Sequence, residues 1–327
     1  MDLFSAIVGQ PQATTLLTQV LAHRRIAPAY LFAGPSGIGK RLTAQRFALA
    51  LLTLSKASDG YSDDAKSLRQ VNQQIHPDLL WVEPTYLHQG KRFTVAEAEE
   101  TGLKRRSPPQ IRLEQVRELT RFLSRPPLQA SRSVVVIDGA ETMAEAAANA
   151  LLKTLEEPGS ATLLLISHNS DLLLPTLISR CQRIPFHRLG SDAMLQVLQQ
   201  AGAEELLQRQ DLLTMAQGSP GRAIAALARW NDLPEEIVAA VARPPKNIRQ
   251  ALSTARDITA TLDVEAQLWL VTYLQQQYYD TQSNSRYEWA NNGDRLQTLE
   301  QAYRQLQRFV QPRLVWEVAL MALADAP

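Results

Sequence analysis

The chain has 327 residues, 45% of them apolar, so it can bury substantial cores and is long enough for two or three domains. A formal net charge of +1 argues against a protein that coats nucleic acid by charge alone, and the single cysteine, Cys181, excludes a disulfide framework. The sequence shows no basic leader, no apolar run of about 18 residues and no close Cys/His pairs. We therefore expect a cytoplasmic protein without membrane contact or zinc.

The stretch from Tyr30 to Arg41 predicts a phosphate-binding loop between a buried strand and a helix. Three glycines allow tight turns that point backbone N–H groups inward, and Lys40 completes the spacing G-x-x-x-x-G-K. The full motif continues with Ser or Thr, whose hydroxyl binds Mg²⁺, but here the next residue is Arg41. The loop can therefore hold a nucleotide such as ATP, whereas Mg²⁺ binding and hydrolysis are not expected. The candidate phosphate-binding residues are Gly34, Pro35, Ser36, Gly37, Ile38, Gly39, Lys40 and Arg41.

Strand-like and helix-like segments alternate along residues 1–187. Short apolar runs bounded by turn residues predict strands, and apolar residues three or four apart predict helices. The alternation predicts an α/β fold with a doubly wound parallel five-stranded sheet and helices on both faces. The predicted strands are 30–32, 79–82, 133–138, 161–167 and 183–186, and the predicted helices are 11–25, one from residue 40, 113–123, 144–155 and 175–179.

A carboxylate, Asp138, ends the third predicted strand. At the C-terminal end of a parallel strand it would face the crevice that also receives the phosphate loop, and a turn cap is the alternative. In nucleotide motors an adjacent Glu polarises the attacking water. Here Gly139 follows, and Glu141 lies three positions from Asp138, so it would need to be redirected to serve.

Two stretches of this half are predicted to lack regular structure. Residues 55–70 are polar and exposed, and residues 86–110 are loop-like. The basic cluster Lys104–Arg106 favours a solvated surface over contact with nucleic acid.

The chain after His187 is predicted to be all helical. We expect a small helical lid domain at residues 188–233, built around the turn Gly218–Arg222. A linker near Pro234 and residues 243–245 leads to a C-terminal helical bundle, which makes residues 234–327 a third domain. Three amphipathic helices are predicted beyond the linker, with a polar loop at 284–293.

Together these pieces resemble the AAA+ ATPase family, and within it the clamp-loader subunits of bacterial DNA polymerase III. Six segments carry the resemblance. Val8-Gly9-Gln10 is similar to the family's adenine segment, Gly34–Lys40 to Walker A and Val134–Asp138 to Walker B. Asn149–Pro158 is similar to the N-x-L-L-K-x-L-E-E-P string, Ser179–Cys181 to the S-R-C motif and Gly218–Arg222 to the sensor-2 turn. The resemblance implies that Arg180 is an arginine finger offered to a neighbour's γ-phosphate. Without this motif, Arg180 would be read as a surface salt bridge. The resemblance also implies that the terminal bundle is an oligomerisation collar and that Arg222 would ordinarily contact the chain's own nucleotide; here Arg222 is either a relic or holds a non-hydrolysed ATP. Lys153 and Glu156–Glu157 are given no catalytic role.

Departures from the family pattern favour its non-motor members. Arg41 stands where a motor subunit has Ser or Thr, and Gly139 stands where it has Glu. The string at 76–79 is similar to one in the delta-prime subunits. The resemblance then implies a fixed subunit in a hetero-pentamer with gamma/tau and delta subunits, acting on a sliding clamp and primed DNA. Two alternatives remain: a gamma/tau-like motor ATPase, and a nucleic-acid-binding scaffold with an inactive nucleotide fold, against which the balanced charge counts.

Overall fold

The computed structural model describes residues 3–54, 65–103, 107–157, 159–241, 245–283, 289–308 and 310–324. The predicted basic cluster at 104–106 lies outside these ranges, as do parts of the segment 55–70, the linker 243–245 and the loop 284–293. The chain divides into two compact units, Met1–Val197 and Leu198–Pro327. Within the described ranges, no helix combines the length and apolar character needed to cross a bilayer.

The first unit is built on a five-stranded sheet in the order β2-β5-β6-β1-β7, with every neighbouring pair parallel. All five predicted strands are present, so the predicted parallel α/β class is confirmed. β1 and β6 are buried along their whole length, as expected for central strands covered on both faces. The strands are β1 (Ala29–Ala33), β2 (Leu79–Val82), β3 (Thr85–His88), β4 (Lys91–Thr94), β5 (Ser133–Asp138), β6 (Ala161–Ser167) and β7 (Gln182–Pro185).

Helices cover both faces of this sheet. Alternate residues of each strand enter opposite cores, so Phe32 and Val136 pack with Phe47 on one face while Leu31 and Val135 lie in the core of the other face. The helices of the first unit are α1 (Pro11–Ala22), α2 (Lys40–Thr53), α3 (Ala65–Asn72), α4 (Val95–Glu100), α5 (Leu113–Leu123), α6 (Glu145–Glu156), α7 (Pro175–Ile178) and the start of α8 (Ser191–Gln200).

Two stretches predicted as irregular contain regular structure. In residues 86–110, β3 and β4 form an antiparallel hairpin followed by α4. Its turn, Gln89-Gly90, has positive φ at both positions, which is the two-residue hairpin geometry. The hairpin strands have mostly exposed or half-buried side chains, so they lack the apolar runs that mark buried strands. In residues 55–70, α3 begins at Ala65.

The string His76-Pro77-Asp78 fixes the loop that leads into β5. Asp78 is 2% exposed, and its carboxylate accepts hydrogen bonds from the backbone N–H groups of Leu128 (2.6 Å), Gln129 (2.8 Å) and Ala130 (2.7 Å). Burial raises the pKa of this carboxyl, but the three N–H donors outweigh burial and hold the pKa below its ordinary value. The Asp of the string at 76–79 therefore has a structural role in this chain, because it holds the loop 128–130.

The second unit is helical throughout its described part. Beyond the linker the structure has four long helices where three were predicted, and α14 begins inside the predicted 284–293 loop. The unpredicted helix, α12, buries Ala251, Thr254, Ala255 and Ile258, so three of its four buried side chains are small and it lacks the stripe of large apolar residues by which the other helices were predicted. The remaining helices are α9 (Gln210–Ala216), α10 (Pro220–Asn231), α11 (Glu235–Val241), α12 (Ile248–Thr261), α13 (Val264–Ser283), α14 (Trp289–Gln307) and α15 (Pro312–Ala324).

A polar and aromatic cluster joins α9, α10 and α13 inside this unit. The Tyr273 hydroxyl donates to Asp211 Oδ2 (2.9 Å), which also accepts from Arg209 (2.7 Å). The Arg209 guanidinium lies 4.3 Å from the ring centroid of Trp230, and that ring lies 4.9 Å from Tyr273. Burial and the bond to Asp211 raise the pKa of Tyr273 to about 12.

Candidate functional site

The phosphate loop has the backbone that its glycines predict. Gly34, Gly37 and Gly39 all have positive φ, and Gly39 is the residue that precedes α2. A Cβ added to Gly34 would lie 2.3 Å from the carbonyl oxygen of Phe186, so only glycine fits this close approach. Ile38 is buried in the sheet core and anchors the middle of the loop. The N-terminus of α2 thus faces the site, as an anion-binding loop requires.

Lys40 lies folded into this loop. Its side chain is 3% exposed, and Nζ donates hydrogen bonds to the carbonyl oxygens of Gly34 (2.6 Å) and Pro35. Burial lowers the pKa of Lys40 to about 8, although the nearby Glu141 and Asp138 carboxylates act in the opposite direction. A buried ammonium group bonded only to carbonyls is suited to exchange these weak partners for phosphate oxygens.

Two buried acceptors beside the loop lack hydrogen-bond partners. They are Ser167 Oγ, at the end of β6, and Glu141 Oε2. The other oxygen, Glu141 Oε1, accepts from the backbone N–H of His168 (3.1 Å). The Ser167 hydroxyl can donate to a phosphate oxygen, so it fits a site that binds phosphate groups through the loop N–H groups and Lys40, whereas the Glu141 carboxylate can only accept hydrogen bonds.

Arg41 does not point at the phosphate loop but crosses to the end of the neighbouring strands. It donates a hydrogen bond to Asp138 Oδ2 (2.7 Å), at the end of β5, and lies 3.4 Å from Glu83, just after β2. Its guanidinium also lies 4.9 Å from the ring centroid of Trp81. The residues present therefore do not fit Mg²⁺, because the position of its hydroxyl ligand carries a cation that already binds the carboxylate.

The position after Asp138 is also unsuited to hydrolysis. Gly139 has φ 69°, and a Cβ added to it would meet Pro84 Cγ at 3.0 Å. Glu141 is tied to His168, and burial followed by the Lys40 charge lowers the pKa of His168. One Glu141 oxygen is thus held by the His168 N–H, while the other has no hydrogen-bond partner, so a water-polarising role for Glu141 would require the side chain to be redirected.

The predicted adenine segment is fixed by hydrogen bonds within the protein. Gln10 is 3% exposed; its Nε2 donates to the carbonyl oxygens of His187 (2.7 Å) and Ile38 (3.2 Å), and its Oε1 accepts from the His187 N–H (3.0 Å). Gly9 packs so closely on Leu189 that an added Cβ would lie 2.8 Å from Leu189 Cγ. Val8 is half-buried. Gln10 therefore connects the segment to the phosphate loop, and its amide is not directed to a ligand.

Arg180 lies far from its own phosphate loop. It stands two residues before β7, whose first residue, Gln182, pairs with Tyr30 near the start of β1. The phosphate loop begins at the other end of β1, at Gly34. Because β1 and β7 are parallel, Arg180 lies at the end of the sheet opposite the loop of its own chain.

The Arg180 guanidinium has two partners, neither of which was predicted. It donates to Glu156 Oε1 (2.8 Å) and to the Thr176 carbonyl oxygen (3.1 Å), with 38% of the Arg180 side chain exposed. Glu156 ends α6 and belongs to the string Asn149–Pro158, whose acidic residues were given no role. The adjacent glutamates Glu156 and Glu157 could have suggested a partner for Arg180, but the sequence does not show that α6 ends beside α7.

Arg222 lies in the second unit, on the exposed first turn of α10, where its N–H donates to Ser219 Oγ (3.3 Å). Its contact with nucleotide stays a prediction.

Two family models match consecutive parts of the chain. Residues 9–190 match "DNA polymerase III, delta subunit", and residues 192–323 match "Cyanobacterial DNA polymerase III delta prime, C-terminal domain". The first match covers more than half of the chain.

Curated relatives agree with these matches. The chain is 37% identical to DNA polymerase III subunit delta' of Pseudomonas aeruginosa over 212 residues, which is 64% of this chain and 58% of the relative. It is 31% identical to subunit delta' of Bacillus subtilis over 186 residues, 57% of this chain and 50% of the relative. The alignments thus span little more than half of these relatives' length.

A gamma subunit-related protein of DNA polymerase III from Thermotoga maritima shares the fold with a TM-score of 0.56 and 17% identity, covering 96% of this chain and 99% of that one. Such low identity speaks for the fold alone. The family matches carry the assignment: the chain belongs to the DNA polymerase III delta subunit family, as a member of its delta-prime type.

Proposed function

We propose that the chain is the non-motor delta-prime subunit of a cytoplasmic clamp loader. In this assembly gamma/tau and delta subunits complete a hetero-pentamer that uses ATP to place a sliding clamp on primed DNA. The chain contributes Arg180 to the nucleotide site of a neighbouring motor subunit. Its lid at 188–233 and collar at 234–327 hold it in the ring. Family membership supports the proposed partners. The phosphate loop and the position of Arg180 support a subunit that does not hydrolyse ATP itself but acts on a neighbour's site.

The observation that carries the proposal is the position of Arg180. It stands at the end of the sheet opposite the chain's own phosphate loop, so it can serve a nucleotide only on another subunit. An arginine in that position neutralises the charge that develops on the transferred phosphoryl group, and such fingers raise rates by about 10³ to 10⁵.

The Glu156–Arg180 pair is compatible with this transfer. Both side chains are substantially exposed, 54% and 38%, and exposed ion pairs stabilise proteins by about 0–1 kcal/mol. Arg180 can therefore leave Glu156 for a more highly charged phosphate at little cost. Glu156 keeps the guanidinium ordered while the phosphate is absent.

The chain's own site supports the non-motor role. ATP would be held by the glycine-loop N–H groups and Lys40, with the buried, unpartnered hydroxyl of Ser167 as a further donor. Hydrolysis there is not expected, because Arg41 binds Asp138 and Gly139 replaces the water-polarising residue. The gamma/tau-like motor alternative requires both of these positions to be different.

The test is steady-state ATPase activity of a loader reconstituted with the chain or with its Arg180→Ala variant, in the presence of sliding clamp and primed DNA. We expect the isolated chain to be inactive and the variant assembly to lose the turnover of the one site that Arg180 serves. Arg92→Ala is a matched control, since Arg92 makes an exposed ion pair of 2.7 Å with Glu118 in the same unit.

Two results would overturn the proposal. Turnover by the isolated chain would show that Arg41 and Gly139 do not prevent hydrolysis, and the motor alternative would replace it. An Arg180→Ala assembly as active as the Arg92→Ala assembly would show that Arg180 is only a surface ion pair.

A further inference from the structure

The carboxyl ends of β2 and β5 bring together a set of charges that the sequence does not place side by side. Asp138 ends β5, Glu83 follows β2, and the two strands are neighbours in the sheet. Two cations, Lys40 and Arg41, begin α2. Each cation has a different kind of partner: Lys40 binds carbonyl oxygens of the loop, whereas Arg41 binds the carboxylates.

Three separate contacts fix the Arg41 guanidinium. It donates to Asp138 at 2.7 Å, lies 3.4 Å from the Glu83 carboxylate and stacks 4.9 Å from the centre of the Trp81 ring. A planar guanidinium can satisfy an acceptor in its plane while its face lies on an aromatic ring, which an ammonium group cannot do as well. The Asp138 side chain is only 13% exposed, so the charge of its carboxylate requires a nearby cation.

A divalent cation would need the same carboxylate. Mg²⁺ in a phosphate-loop protein is bound by the hydroxyl that follows the lysine, together with the carboxylate at the end of the neighbouring strand. In this chain Arg41 occupies the position of the hydroxyl residue, and its guanidinium binds the carboxylate of Asp138. Mg²⁺ bound to Asp138 would compete with Arg41 for the carboxylate and would lie next to a second positive charge.

We propose that the Arg41 guanidinium is a built-in replacement for the divalent cation. The carboxylate of Asp138 is neutralised within the chain, so the phosphate loop keeps its structure without Mg²⁺. Phosphate groups that bind at Lys40 do so as metal-free anions. This inference concerns the chain's own loop and does not depend on the role of Arg180 in a neighbouring site.

The experiment is thermal unfolding of the full-length chain in four buffers: EDTA, MgCl₂, ATP with EDTA, and ATP with MgCl₂. The quantity of interest is the shift in Tm that Mg²⁺ causes, with and without ATP. For the wild type we expect no shift without ATP and no rise with ATP, because Mg²⁺ binds the free ATP and so removes the metal-free anion that the loop takes. For Arg41→Ser, which restores a hydroxyl and exposes the carboxylates, we expect a lower Tm in EDTA and a Mg²⁺-dependent rise of about 3–6 °C at roughly tenfold excess of ligand over Kd.

Two further variants keep the test decisive. Arg41→Lys retains the charge, so its Tm should likewise not rise with Mg²⁺, and it serves as the comparison with the wild type if Arg41→Ser fails to fold. Arg92→Ser removes an ion pair of the same length from the same unit and should respond to Mg²⁺ as the wild type does. A Mg²⁺-dependent rise in the Tm of the wild type or of Arg41→Lys would overturn the proposal, and so would a folded Arg41→Ser variant that ignores Mg²⁺.

Discussion

The Asp78 carboxylate offers the sharpest test of how the first unit is held together, and we expect Asp78→Asn to destabilise it by about 3–5 kcal/mol. The carboxylate accepts three backbone N–H groups at 2.6–2.8 Å and is 2% exposed. Hydrogen bonds to a charged acceptor contribute about 1.5–3 kcal/mol each, and a buried donor left without a partner costs about 1–3 kcal/mol. An Asn oxygen can accept two of the three N–H groups, while the Asn NH₂ group faces the third.

The free energy of unfolding, measured by urea denaturation of wild type and variant, checks this value. Hydrogen exchange at Leu128, Gln129 and Ala130 reports the loop directly, and these amides should lose protection in the variant. Asp232→Asn, at an exposed position, is the matched control. Equal stabilities within about 0.5 kcal/mol, with protected loop amides, would refute the reasoning.

The pH dependence follows from the same contacts. Because the folded-state pKa of Asp78 is depressed, its contribution is complete above the unfolded pKa of about 3.9 and is lost as the pH falls through the folded value. The stability difference between wild type and Asp78→Asn should therefore shrink in acid.

Two other substitutions test buried titratable groups. Lys40→Met should abolish one pH dependence of stability. Burial lowers the Lys40 pKa from 10.5 to about 8, so the wild type should gain stability as the pH rises from 8 to 10.5, whereas the variant should lack this gain; Tm values of both proteins at pH 7 and pH 10 check the sign. Tyr273→Phe should lower the free energy of unfolding by about 1.5–3 kcal/mol, because it removes the hydrogen bond to Asp211. This contribution should be complete below pH 10 and should disappear as the pH approaches the Tyr273 pKa of about 12. Urea denaturation measures the stability and spectrophotometric titration the pKa; an ordinary tyrosine pKa would contradict the contact.

The central sheet could be predicted from the sequence because its strands are short apolar runs between turn residues, and 133–138 was placed to the residue. The hairpin at 85–94 and α12 could not, because their side chains are exposed or small. The absence of a metal-binding hydroxyl at Arg41 was visible in the motif. Its contacts with Glu83 and Trp81 depend on the sheet order that places β2 beside β5, which local patterns do not encode.

For the same reason the sequence identified Arg180 by its motif but missed Glu156. The two residues are 24 positions apart and meet because α6 and α7 pack together. Gln10 shows the same limit: its motif predicts a segment that lies against adenine, which stays a prediction, but it does not show that the Gln10 amide joins His187 and the phosphate loop. Motifs predict which backbone comes near a site more reliably than they predict where each side chain is directed.

The crowding at Gly139 makes the present arrangement hard to reverse by stepwise mutation. A glutamate there would place a Cβ 3.0 Å from Pro84 in a left-handed backbone conformation, so it requires the loop after β2 to change as well. Replacing Arg41 alone would leave two carboxylates without their cation before any benefit appears. Each single change is unfavourable by itself, so a variant designed to bind Mg²⁺ and to carry a glutamate after Asp138 would need Arg41, Gly139 and the loop after β2 to be changed together.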